Sequence, residues 1–537
     1  MVDIAAQAGL TLMNVHGDVT KDYIVDTNGN GAAFFDYDND GRLDALIVNG
    51  STREHLSRGG DPVVALYRGD GRGHFTDVTA SSGMTARGWG MGTCVADIDN
   101  DGFDDVYVTA YGPNLLYHNN GNGTFTNVTQ RAGVGDARWS TGCAFGDYNR
   151  DGFVDLYVAN YVAFDATKIP RRGESTNCRY QGFDVFCGPR GLTPEANVLY
   201  RNNGDGTFTD VTEAARVKQP GAFSFGVLFT DLDDDGWPDL VVANDSVPGF
   251  LFHNNHDGTF VERGLASGVA LSSTGRAQAG MGIDAADYNG DGRLDLIVSH
   301  FSDDYHTLYE AGDQGLFSDV SYRVGIANPP LIYMGWGVGF VDIDNDGWPD
   351  IFVANGHVYP DIGRFGIATP YRQRKQLFQN LDGKRFRDIA EESGAAMIAP
   401  HSSRGAAFGD YDNDGDIDVL VVNMNEPPTL LRNDTTGGGH WITLRLVGAA
   451  TAGPNGTSNR DAIGARIRVS AGGRTHVGEV RSGGSYLSHN DTRAHFGLGS
   501  ADRVSRVEIR WPSGRVETMT GLAVDRFYLA NEGKGLK

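Results

Sequence analysis

Basic residues are scarce: 45 Lys and Arg face 69 Asp and Glu, a formal charge of −24 over 537 residues. A nucleic-acid binder needs a basic face to displace counterions from phosphates, so that class of partner is excluded. No run of 18 apolar residues occurs, which excludes a membrane-spanning helix. The four cysteines include no CxxC, so neither a zinc ribbon nor a dithiol redox motif is present. There is also no P-loop, dinucleotide fingerprint, HExxH or nucleophile elbow. The opening "MVDIAAQAGL" lacks a basic start and a long apolar stretch, so no signal peptide is read there. The expected location is extracellular or periplasmic if a leader has been removed, and cytoplasmic if Met1 is the native start.

Glycine is abundant, 75 residues, about twice its usual share, which suits an all-β chain with many tight turns. Aspartate is more informative. In "FFDYDNDGRLDALIVNG" (34–50), Asp36, Asp38, Asp40 and Asp44 stand at positions 1, 3, 5 and 9 of a loop, with Gly41 at position 6. Carboxylates at 1, 3 and 5 converge when the chain turns sharply, and glycine permits that turn. Such an oxygen-rich loop suits Ca²⁺, with the position-7 carbonyl of Arg42 as a further ligand. An EF-hand would place Glu at position 12; here Ile47 stands inside a β-branched run, so the loop leads into a strand.

The spacing recurs seven times. The other expected ligand sets are Asp97, Asp99, Asp101, Phe103, Asp105; Asp147, Asn149, Asp151, Phe153, Asp155; and Asp231, Asp233, Asp235, Trp237, Asp239. Three more follow: Asp287, Asn289, Asp291, Arg293, Asp295; Asp342, Asp344, Asp346, Trp348, Asp350; and Asp410, Asp412, Asp414, Asp416, Asp418. In each, the residue at position 7 offers its carbonyl. About seven structural Ca²⁺ would cancel +14 of the −24, leaving about −10. Four acidic or amide ligands plus a carbonyl nearly saturate the ion, which leaves little room for substrate.

A second motif follows each loop, as in "LYRNNGDGTFTDVT" (199–212), and reads as a hairpin around an Asn/Gly/Asp turn. Each repeat therefore holds four strands, A to D, with the acidic loop joining A to B. Seven such units predict a seven-bladed β-propeller over 1–436; a β-solenoid is the alternative, but its repeats are shorter. Repeat seven lacks its own "GTFTDVT", whereas "VDIAAQAGL" near the start matches "TDVTASSGM" (76–84). Residues 2–6 are expected to supply the outer strand of blade seven and remove a free edge. Residues 437–537 read as a small β domain, with strand-like "HWITLRLV", "ARIRVSA", "RVEIRW" and "RFYLA".

The acidic loops resemble FG-GAP/VCBS repeats of integrin-type propellers. "NRDAIGARIRV" (459–469), "SGGSYLSHND" (482–491), "HFGLG" (495–499) and "VEIRWPSG" (507–514) resemble the ASPIC/UnbV domain. Together they resemble the cartilage acidic protein 1-like family. The resemblance implies a recognition module, commonly extracellular; bacterial relatives of the UnbV type in natural-product pathways also imply an enzyme as an alternative.

Alternating strand direction puts acidic loops and C–D turns at one end, and B–C loops and blade links at the other. The long loops 50–62, 161–197 and 356–375 all belong to that second end, where a rigid scaffold usually carries function. Strand-A starts bring Arg87, Trp89, Arg138, Trp139, Phe223, Arg276, Tyr333, Trp336, Arg404 and His401 to this mouth, and strand-B ends add His300, Asp245 and His357. The set reads either as a cationic, aromatic pocket for a small molecule, glycan or protein ligand, or as packing between blades. Were the chain a non-redox cyclase, isomerase or lyase, His401, His300, His357 or Asp245 would be its acid/base candidates. A third reading gives calcium a purely structural role and leaves function to oligomerisation through the C-terminal domain.

Cys178 and Cys187 share the long insertion and are expected to form a disulfide in an oxidising compartment. Cys94 and Cys143 are expected as buried thiols, with a pair as the alternative. His489, Asp491 and His495 read as a polar turn more than as a metal cluster. "RGD" (68–70) falls at a hairpin tip and is expected to be ordinary turn chemistry.

Overall fold

The computed structural model describes residues 1–219, 221–450, 452–453 and 456–537. Seven four-stranded antiparallel sheets form residues 1–436. Their innermost strands are 32–35, Gly90–Ala96, Ser140–Gly146, Ser224–Thr230, Gly280–Ala286, Gly335–Val341 and Ser403–Gly409. Each contacts the next, and the last contacts the first. Val2 pairs with Arg432 and Asp3 with Leu431, so the N-terminus supplies the fourth strand of the last sheet. That strand is only two residues long; residues 5–8 form a helical turn instead of continuing it.

The inner strands can approach closely because each starts with a tripeptide ending in glycine: "GMG", "STG", "SFG", "GMG", "GWG" and "SRG" in sheets two to seven. A register shift falls on that tripeptide each time. At Gly142 a Cβ would stand 2.0 Å from the Phe225 carbonyl oxygen of the next blade. Side-chain staples bind the outer parts. Asn119, Asn202, Asn254, Asn380 and Asn433 end their third strands and donate to the carbonyls of Tyr37, Ile98, Tyr148, Tyr288 and Ile343 in a neighbouring acidic loop.

Residues 437–537 add two more four-stranded sheets. In the first, His440–Val447 pairs antiparallel with Ala494–Gly499 and parallel with Arg526–Asn531. The second is built on Arg466–Ala471 and Arg503–Arg510. This domain sits on the acidic-loop face through arginines: Arg445 reaches Asp36 at 3.4 Å, Arg481 reaches Asp284 at 3.3 Å, and Arg493 donates to the Asp410 carbonyl at 2.6 Å. Apolar residues from both parts, Phe145 and Leu156 with Ile442 and Ile467, share one core.

The segment 482–491 leaves the C-terminal domain and enters the ring. Ser485 bridges Ile283 of blade five and His489 bridges Ala33 of blade one. Thr93 donates its backbone N–H to Leu487, and the Tyr486 hydroxyl donates to the Asn28 carbonyl at 3.0 Å. Tyr486 and Leu487 are buried with Met91, Phe225, Met281 and Trp336 in one cluster, so this tongue fills the axis. His489, Asp491 and His495 have separate partners: the Gly483 N–H, Arg493, and Thr443 with Asn345. They are polar residues of the tongue and its return.

Cys178 and Cys187 are bonded, as expected. Cys94 and Cys143 are also bonded and join the inner strands of blades two and three. This corrects the buried-thiol expectation: adjacent inner strands bring the two Cα atoms to 5.8 Å, within disulfide reach. Arg68 of the RGD pairs with Asp38 and Asp40, and Asp70 accepts two backbone N–H groups of its own turn.

Candidate functional site

The acidic loops share one scheme. Position 1 accepts the N–H groups of positions 5 and 6, as Asp36 does from Asp40 and Gly41 at 2.9 and 3.0 Å. Position 5 accepts from position 7, as Asp40 does from Arg42. Position 9 is spent differently from the expectation. Asp44 lies within the second strand, fully buried, and accepts from Tyr37 at the loop start and from Gly69 at the end of the third strand. Its siblings Asp105, Asp295, Asp350 and Asp418 do the same. This carboxylate is first a clamp between loop and sheet.

The donors fit a hard cation. Carboxylates of Asp36, Asp38 and Asp40 converge within 4.8 Å, as do those of Asp97, Asp99 and Asp105, and of Asp342, Asp344 and Asp346. Asp38 Oδ1, Asp155 Oδ2, Asp342 Oδ1 and Asp412 Oδ1 are buried without any hydrogen-bond partner. A buried carboxylate oxygen left unpaired is costly unless a cation takes it. Burial pushes the Asp44 and Asp295 carboxyls up to about 8 and that of Asp410 to about 7. An oxygen-liganded divalent ion would hold them ionised.

At the opposite end, most nominated mouth residues are packed away. Trp89, Trp139, Trp336, Phe223, Arg404, His300, His357 and Asp245 are buried. The tongue covers Trp336 through Tyr486, and the strap 13–31 covers Trp89 and Arg404 through His16 and Thr27. Arg404 stacks 4.1 Å over Trp336 and donates to the carbonyls of Thr27 and Ser403. His357 meets Ser302 at 3.1 Å, and Asp245 accepts the Tyr161 hydroxyl at 2.6 Å. His401 is half-buried against Glu426 at 2.6 Å. Arg276 is exposed beside Asp304, and Tyr333 lies under Arg374. No two of His300, His357, His401 and Asp245 hydrogen-bond each other among the described residues.

What stays open is a cleft beside the axis, about 720 Å³, between blades one to three. Four nominated residues line it: Arg87, Trp89, Arg138 and Trp139. Arg87 donates twice to the Gly60 carbonyl, at 3.1 and 2.7 Å, and has no carboxylate partner among the described residues. Arg138 is neutralised by Asp136 at 2.6 Å. Tyr111 meets Trp89, Trp139 and Phe164 edge-to-face, with ring centroids 5.8–5.9 Å apart. The Trp139 indole N–H is buried and unpartnered. Glu195 accepts the Trp139 backbone N–H at 2.9 Å, and burial pushes its carboxyl up.

Sequence reasoning missed Tyr111, Phe164 and Glu195. Tyr111 follows the second strand of blade two, and the other two lie in the long insertion; only proximity to nominated loops flagged them. It also missed the strap, which carries His16, Lys21 and Asp26 into the buried mouth. Lys21 donates to the His16 carbonyl at 2.6 Å; burial lowers its ammonium and raises the Asp26 carboxyl.

Comparison with known proteins accounts for both parts. FG-GAP-like repeats match residues 36–108, 97–158, 183–242 and 231–298, and ASPIC and UnbV matches 455–537. Human cartilage acidic protein 1 is 27% identical over 339 residues, 60% of this chain and 46% of that protein. The mouse protein is 27% identical over 338 residues, 60% of this chain and 47% of its own. The chain thus spans about half the length of these relatives. A solved Lactobacillus plantarum protein superposes with a TM-score of 0.44 at 14% identity, covering 74% of this chain and 94% of that one. The chain therefore carries FG-GAP-like repeats and a C-terminal ASPIC/UnbV domain, and is similar to cartilage acidic protein 1.

Proposed function

We propose that this protein is a calcium-stabilised recognition module whose ligand enters the cleft beside the propeller axis. The supporting observation is that cleft: about 720 Å³, opposite the acidic loops, with the uncompensated Arg87 guanidinium at its rim and the Tyr111 and Phe164 rings in its wall. Aromatic faces and a free cation suit a glycan, a polar small molecule or a segment of another protein. The acidic loops hold calcium as a structural ion. Two disulfides favour an oxidising, extracytoplasmic compartment; no helix among the described residues is long and apolar enough to cross a membrane.

A glycan array and a small-molecule thermal-shift screen test this reading. A ligand found there should bind at least ten-fold more weakly to Arg87→Ala and Tyr111→Ala proteins whose melting temperatures are unchanged. Ligands indifferent to both substitutions would place recognition elsewhere. The enzyme alternative has less support, because His300, His357 and Asp245 are buried away from the cleft.

A further inference from the structure

The loop of blade four carries two histidines beside its carboxylates. Its position-1 carboxylate, Asp231, pairs with Arg510, and Arg466 donates to its backbone carbonyl; both arginines come from the C-terminal domain. Asp239 at position 9 holds the His253 ring at 3.1 Å. The remaining donors are not all oxygen. One ring nitrogen of His253 and one carboxylate oxygen from each of Asp233 and Asp235 lie within 4.8 Å of one another. A second imidazole stands beside them: His256 Nε2 is 2.6 Å from Asp235 Oδ2, and the two histidine ring centroids are 6.4 Å apart.

His256 is unusual for its place. Blades two and three read "NNGNGT" and "NNGDGT" there, and the sibling residues Gly121 and Gly204 have φ of 68° and 72°. Blade four reads "NNHDGT", with His256 at φ 63°, a left-handed conformation that costs a non-glycine residue energy. The ring is then fixed by stacking on Trp237, 5.0 Å away and 13° from parallel. Arg150 covers the same indole at 5.1 Å. All four donors are reachable from solvent, with side chains 16–43% exposed.

We propose that Asp233, Asp235, His253 and His256 form a site for a first-row transition metal; blade two repeats the first three as Asp99, Asp101 and His118 but has Gly121 where His256 stands. Imidazole nitrogens suit Zn²⁺, Ni²⁺ or Co²⁺ and suit Ca²⁺ poorly, while two carboxylates supply the charge. Arginine at Asp231, as at Asp36 of blade one, competes with a cation for the position-1 carboxylate. Asp239 and Asp233 both lie against His253 Nδ1, at 3.1 and 3.5 Å, so the Asp239 contact fixes the ring beside the carboxylates and a metal would take that nitrogen from it. Although it occupies an acidic loop, the site does not depend on the calcium reading.

The test uses tag-free, full-length protein in millimolar calcium. Titration with ZnCl₂ by calorimetry should give one tight equivalent, and Co²⁺ should produce the visible absorption of a nitrogen-containing site. His256→Gly restores the sibling residue, relieves the left-handed backbone and should keep the fold, yet weaken zinc at least ten-fold. His253→Gln should do the same, and His118→Gln in blade two should not. The proposal is overturned if zinc fails to bind in excess calcium, or if its affinity survives both blade-four substitutions. Loss of stability on chelating calcium is a separate readout, so failure of either reading is visible without the other.

Discussion

Arg404 shows what single side chains do here. Its guanidinium is fully buried, stacked on Trp336, and bonded only to neutral oxygens. Burial lowers its pKa to about 10, still high enough to keep it charged at neutral pH. Removing it takes the donor from the Thr27 and Ser403 carbonyls, each worth about 1–3 kcal/mol when unpaired, while Gly356 keeps the Trp336 indole N–H. Arg404→Ala should therefore destabilise the protein by about 3 kcal/mol or more, read as a lower denaturation midpoint in urea. Buried imidazoles set the acid limit. Burial lowers His300, His357 and His489 to about 3. Unfolded histidine titrates near 6.5, so between about 3 and 6.5 the unfolded chain binds more protons. Stability is then complete above about 6.5 and falls as pH drops through that window, by up to about 1.4 kcal/mol per pH unit for each histidine. Melting temperature in saturating calcium should fall between pH 7 and pH 5, and more shallowly for His357→Gln; an equal slope in both proteins would contradict this. The residues themselves were legible. Trp89, Trp336 and Arg404 follow from strand direction as belonging to this end of the ring. Their burial was not legible, because the paths of the strap and the long loops carry no periodicity.

Among elements, the tongue matters most. A Cβ at Gly31 would lie 1.6 Å from the Leu487 carbonyl oxygen, and one at Gly282 would lie 2.3 Å from the Trp336 carbonyl oxygen. Gly31→Ala should push the tongue from its seat, and Tyr486→Ala should cost about 3–5 kcal/mol through lost burial. Limited proteolysis of residues 482–491 would report both; resistance equal to wild type would show that the axis tolerates the change. The asparagine staples predict a smaller effect. Asn202→Ala leaves the Ile98 and Val154 carbonyls short of a donor and should cost about 1–3 kcal/mol, measurable by thermal denaturation. The acidic loops and hairpins were plain in the sequence because each is written locally and repeated. The tongue was not: "SGGSYLSHND" reads as a polar turn, and its partners are scattered over all seven blades. A repeated cue lay in "GMG", "STG" and "SFG", whose glycines admit backbone at the axis. Cys94 and Cys143 were hidden for the same reason, since their pairing depends on how adjacent blades register.

For the whole molecule, the proposed calcium ions and the C-terminal domain would be the two supports. An ion bound only by the folded state adds about 2.7 kcal/mol per site at one hundred times its dissociation constant. EDTA should lower the melting temperature by many degrees, and added calcium should restore it; an unchanged transition would leave the loops to their arginines. Residues 1–436 alone should aggregate, because Met91, Phe225, Met281 and Trp336 would line an open apolar bore. Light scattering of that fragment beside the full chain would decide the point. The bore is filled by a segment that leaves the ribosome long after the seventh blade. A nascent ring therefore waits without its axle, and the blades can close on Tyr486 only once residues 482–491 have emerged. Premature termination anywhere before that tyrosine would release a wheel with nothing at its hub.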